Sequence, residues 1–161
     1  VIDKKIIKPG DELEKIIERL KTRETPGATG TWTPAFTGTT IAGTFTYAGR
    51  AGVWTRLGNQ VTLHAFISIS AIAVAPTGNM TITGLPFTAA NVGMDFSVTL
   101  GYVHNINTTA AIVQLTAFVQ LNTATILLME AFDNAASTQF PAANFGNANA
   151  AIELSGVYQI P

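Results

Sequence analysis

The sequence predicts an all-β fold, an antiparallel β-sandwich of jelly-roll type, preceded by a short α-helical coiled-coil stalk. Three observations point there. Apolar and polar residues alternate with a period of two over long stretches beyond residue 32. Gly, Pro and Asn punctuate those stretches as turns do. Charge is also partitioned: thirteen of the nineteen charged residues fall in residues 1–24, and no Lys follows Lys21.

Residues 1–24 read as a separate charged segment. Pro9-Gly10 interrupts it, and Asp11 with Glu14 makes a start resembling a capping box. Leu13, Ile16, Ile17 and Leu20 then follow at i, i+3, i+4 and i+7, one face of a helix. A helix of about 13 residues is marginal alone in water, so this stripe needs a partner. Its own domain is one candidate and a sister helix is the other. Ile6, Leu13 and Leu20 are spaced by sevens, and the downstream domain has apolar residues enough for its own core. The stripe is therefore read as a coiled-coil stalk. Residues 25–31, Thr-Pro-Gly-Ala-Thr-Gly-Thr, read as a linker by composition.

The tip domain occupies residues 32–161. Val61, Leu63, Ala65, Ile67 and Ile69 alternate with Thr62, His64, Phe66, Ser68 and Ser70. The same alternation runs from Met94 to Tyr102 and from Ile112 to Leu121. Shorter strands are expected at 40–47, 50–57, 79–83, 124–131 and 151–159. Turns fall at Gly58-Asn59, Pro76 to Asn79, Gly84 to Pro86 and Asn144 to Asn149. Eight or so strands separated in this way suit a sandwich or jelly roll. The outer faces carry Thr and Gln with Phe66, Val103, Ile112 and Phe118, as a subunit interface would require.

Composition excludes several functions. With no Cys there is neither a disulfide framework nor a thiolate metal site. A formal net charge of −1 gives no electrostatic case for nucleic acid or a membrane surface. No apolar run reaches the 18 or so residues of a membrane span, and the charged N-terminus lacks a secretory signal's apolar region. If the protein acts outside a cell, it is expected to get there by assembly and lysis rather than by its own signal. A soluble domain normally carries about a quarter of its residues as charges. The neutrality of residues 25–161 therefore implies burial against sister chains or a surface of uncharged polar groups.

Residues 30–59, GTWTPAFTGTTIAGTFTYAGRAGVWTRLGN, resemble the opening of C-terminal tip domains in phage tail fibres and tail spikes. ITGLPFTAAN at 82–91 is similar to a mid-domain segment of those proteins, and SGVYQI at 155–160 to their last strand. The resemblance covers most of residues 30–161 in order. It implies a homotrimeric β-sandwich at the tip of a virion tail fibre or spike, extracellular after release, in contact with a host-cell surface glycan or protein receptor and with other virion tail proteins. The preceding segment departs from the β-helix of a depolymerase spike. Within the motif, Trp32 reads as an anchor onto the sheet, Trp54 and Arg56 as neighbours on one strand face where a guanidinium can stack on or bond beside an aromatic, and Leu85-Pro86-Phe87 as a core plug.

Catalysis requires positioned acids, bases or nucleophiles. Glu130 and Asp133 are the nearest thing to a glycosidase pair, but two acids at a strand exit read as turn and solubility residues. His64 and His104 have no companion ligand nearby, so neither metal nor cofactor is expected, and no enzyme activity. Glycan binding by aromatic faces and neutral side chains is the leading expectation. Its candidates are Tyr102, His104, Asn105 and Asn107 at one strand end, and Asp133, Asn134, Gln139, Asn144 and Asn147 in the following loops. The alternatives are a structural knob that caps and registers the trimer or a tail needle, and a polysaccharide-degrading appendage.

Overall fold

The computed structural model of the protein describes residues 13–17, 27–109, 112–145 and 148–161. Residues 13–17 are helical. Leu13, Ile16 and Ile17 on that helix are 59%, 48% and 42% exposed, so their shared apolar face has no full cover among the described residues. Leu20, read with them as the stalk stripe, lies outside the described residues.

Ten strands make up the rest: β1 Ala28–Trp32, β2 Ala35–Gly38, β3 Thr44–Leu57, β4 Gln60–Val74, β5 Met80–Thr83, β6 Phe96–His104, β7 Ile112–Val119, β8 Thr125–Phe132, β9 Ala135–Gln139 and β10 Ala151–Gln159. They form one hydrogen-bonded sheet in the order β1-β3-β4-β10-β6-β7-β8-β5-β2, with β9 attached to β8. Every pairing is antiparallel. The all-β, antiparallel expectation therefore holds.

The two ends of this path are consecutive in the chain. Trp32 ends β1 and Ala35 begins β2. Three backbone steps reach at most about 11 Å, so the sheet must curl until its outer strands approach. Contacts across the interior follow from the curl. Phe36 of β2 packs on Phe45 of β3 at 6.2 Å between ring centroids. The Phe36 N–H donates to the Tyr47 hydroxyl at 3.1 Å. Phe145, next to a single 3-10 turn at Ala142–Asn144, wedges against Phe36 at 4.5 Å.

Alternation decides which residues fill the interior. Val61, Leu63, Ala65, Ile67 and Ile69 on β4 are all at most 1% exposed, and Ile152, Leu154 and Tyr158 on β10 join them. Burying an aliphatic side chain of that size stabilises by roughly 1.5–3 kcal/mol. The odd-numbered face of β4 thus supplies the core, and Thr62, His64 and Phe66 are left on the outside.

The strand limits differ from expectation in several places; β6, for one, starts at Phe96 and leaves Met94 exposed ahead of it. β1 starts at Ala28, inside the segment read as a linker. The expected strands 40–47 and 50–57 are one long strand, β3, with register shifts between Thr44 and Gly49. β2 and β9 were not expected, being four and five residues of mostly small or polar type. On β7 a register shift between Ile112 and Gln114 turns Val113 outward, where it is 69% exposed.

The reason β1 looked like a linker is its packing. Gly30 pairs with Trp54 and Trp32 with Gly52, so two Gly-x-Trp tripeptides lie antiparallel with each indole over the other's glycine. A Cβ at Gly52 would overlap the Trp32 ring. Trp32 is 6% exposed, and its Nε1 is buried without an acceptor among the described residues.

Candidate ligand-binding surface

Tyr102 and His104 stand two residues apart on β6 with ring planes 3° from parallel and centroids 5.9 Å apart. His104 is held by the loop before β10: its Nδ1–H donates to the Asn149 carbonyl at 3.1 Å. A carbonyl only accepts, which fixes this tautomer when the ring is neutral. Asn105 Nδ2 donates to the Ala148 carbonyl at 2.6 Å. The strand end at Tyr102 to Asn105 is therefore tied to the loop before β10, and no hydrogen bond among the described residues joins it to Asp133, Asn134 or Gln139. Asn144 Nδ2 reaches back likewise, to Thr109 Oγ1 at 2.9 Å.

Several of these asparagines have structural work. Asn105, Asn134 and Asn149 adopt φ of 52°, 58° and 67°. That left-handed region is tolerated best by Gly, Asn and Asp. Asp133 and Asn134 make the two-residue turn between β8 and β9, since Phe132 pairs with Ala135. Gln139 accepts from Asn79 Nδ2, tying β9 to the start of β5. Asn107 is exposed. Asn147 lies outside the described residues.

Glu130 and Asp133 do not face one another across a cleft. Glu130 is 1% exposed and accepts the Thr109 N–H at 2.7 Å, whereas Asp133 is exposed at the turn. Trp54 and Arg56 are not stacked on each other either. Phe87 comes between: it meets Trp54 edge-on at 4.8 Å, and Arg56 lies over its ring at 5.6 Å. Arg56 Nε also donates to the Gly58 carbonyl at 2.7 Å, closing the β3–β4 turn.

The outward face of β4, β10 and β6 holds residues that sequence reasoning missed. His64 Nε2–H donates to Glu153 Oε1 at 3.0 Å, with both side chains about half exposed. Glu153 pairs with Phe66 on one side and with Tyr102 on the other. A depression of about 570 Å³ runs beside them, lined by Thr62, Asp95, Ser97, Thr99, Ser155 and Val157 among others. Asp95 Oδ1 accepts the Leu121 N–H at 3.0 Å. His64 and Glu153 are 89 residues apart in sequence, so only the β4–β10 register joins them. Among the described residues no group of three or more His, Cys, Asp or Glu could hold a metal, and no helix is long and apolar enough to cross a membrane.

These features define a curled, all-antiparallel β domain whose outer face carries few charges. No known protein family matches the sequence, and no curated protein matches it. Among solved structures it is similar to the crystal structure of the Dettilon tailspike protein, with a TM-score of 0.66 and 19% identity over 83% of this chain and 24% of that one. The chain thus spans about a quarter of the tailspike's length. What the two share is the fold.

Proposed function

We propose that this chain is the tip domain of a trimeric virion tail fibre or tailspike, of the tip-domain kind that residues 30–59 resemble, and that it attaches the particle to a host-cell surface glycan or other receptor. The observation that carries this reading is the likeness of fold to a tailspike protein over 83% of the chain. Two further features support it. The exposed apolar face of Leu13, Ile16 and Ile17 suits a three-stranded stalk. Only six charged residues follow residue 24, and a neutral polar surface suits repeated weak contacts with sugars. The role proposed is binding rather than catalysis, because the buried Glu130 and the turn residue Asp133 are not placed as a glycosidase pair, whose two carboxyls flank one bond.

Purified protein labelled with a fluorophore should bind intact cells of at least one host strain, and unlabelled protein should compete with virion adsorption. Absence of binding across a strain panel would sink the attachment role. A knob that caps and registers the trimer would then be the better reading. That reading is favoured by the way His104, Asn105 and Asn144 spend hydrogen bonds within the domain. Release of reducing sugar from host polysaccharide, lost on changing Glu130 and Asp133, would instead establish a degrading appendage.

A further inference from the structure

We infer that the outward face of β4, β10 and β6 is a groove for a neutral saccharide, an inference that rests on the attachment role proposed above. Phe66, Glu153 and Tyr102 occupy one cross-strand row, with the carboxylate in the middle. Neighbouring strands lie about 4.8 Å apart, which sets the two aromatic side chains roughly 10 Å from one another. Phe66 is 39% and Tyr102 45% exposed, so both present ring surface to solvent. An aromatic face covers the C–H face of a sugar ring, and a carboxylate accepts from its hydroxyls.

The adjacent row continues the groove. His64, Ser155 and Thr99 pair across β4, β10 and β6, and beyond them lies the 570 Å³ depression with its Thr62, Ser97 and Asp95 side chains. Hydroxyls that both donate and accept, on strands rather than loops, make a rigid surface for hydroxyl-rich ligands. Charge narrows the class. Asp95 and Glu153 are the carboxylates of this surface, and neither Lys nor Arg borders the depression. Sugars carrying a carboxylate or sulfate are repelled; neutral hexoses and N-acetylhexosamines are not.

The same charges argue against a second copy of the chain as occupant. Residues 25–161 contain six charged side chains; one of them, Glu153, stands on this face bonded to His64, and another, Asp95, lines the depression. Subunit contacts are depleted of charge at their centres because each ion must be desolvated. A sugar replaces the water around Glu153 with hydroxyls of the same kind.

The test uses the full 161-residue chain on an array of neutral hexose and N-acetylhexosamine oligosaccharides alongside uronic-acid and sulfated counterparts. Binding is expected on neutral members, reduced at least tenfold by Tyr102→Ala and by Glu153→Gln, retained by Tyr102→Phe and by the remote Thr138→Ala. Sedimentation of all four variants should match the parent. Glycan or cell binding that survives Tyr102→Ala and Glu153→Gln would overturn this site while leaving attachment standing. Preference for the acidic glycans would overturn the ligand class. A changed oligomeric state in Tyr102→Ala or Glu153→Gln would overturn it too, by making this face a contact between copies.

Discussion

Gly52 is held by what lies on it. The Trp32 indole covers this glycine, and the Trp54 indole covers Gly30 in return, so both glycines are space requirements rather than turn residues. Gly52→Ala should therefore cost about 1–3 kcal/mol in urea unfolding, as overpacking does in a dense interior; an unchanged midpoint would mean that the indole moves freely. Tyr158 offers a second measurement. Burial pushes its phenol from 10.0 up to about 12, and its hydroxyl donates to the Phe87 carbonyl at 3.1 Å. The neutral phenol is the form the fold prefers. Its contribution is complete below pH 10 and is lost as pH rises through 12. Over that window the parent should lose about 2 kcal/mol more than Tyr158→Phe, read as the difference between their urea midpoints against pH.

At the scale of elements, the N-terminal helix and the sheet are expected to act independently. Leu13, Ile16 and Ile17 stay exposed, so the sheet gains no burial from them. Deleting residues 1–24 should leave the thermal midpoint of the β domain within a few degrees and weaken self-association in sedimentation. A collapse of the midpoint would show that the segment packs on the sheet. Which elements were legible follows from how each is stabilised. β4 and β10 announce themselves because one face is buried over a long run, from Val61 to Ile69 on β4, and the alternation survives in the sequence. The Gly58-Asn59 turn was legible because its positive φ of 61° demands glycine at the first central position. β1 was not, since its one glycine, Gly30, answers to an indole 24 residues away and looks like linker composition. β9 contributes only exposed small residues before Gln139, and no periodicity can mark it. The candidate site divides in the same way. Tyr102 and His104 share a strand and could be read locally, whereas the His64–Glu153 pair depends on a register that no local pattern encodes.

At the scale of the whole molecule, long-range pairing dominates. Gln159 pairs with Gln60, 99 residues earlier, and the path of strands closes only when β1 and β2 are drawn together by Thr33-Pro34. Such contacts require loop closure before they are rewarded, which places folding in the millisecond-to-second range. Stopped-flow refolding followed by Trp32 and Trp54 fluorescence should show that range, and completion within microseconds would contradict it.

The place of β10 has a consequence for how the protein is made. This strand fills the gap between β4 and β6, yet it follows both in the order of synthesis. At about 5–20 residues per second, roughly 4–15 s separate the emergence of Val74 from that of Ala151. Throughout that interval β4 offers an unpaired edge and the apolar row Val61 to Ile69 to any neighbouring nascent chain. Chains growing on one polysome would be near enough to exchange strands until this keystone strand arrives.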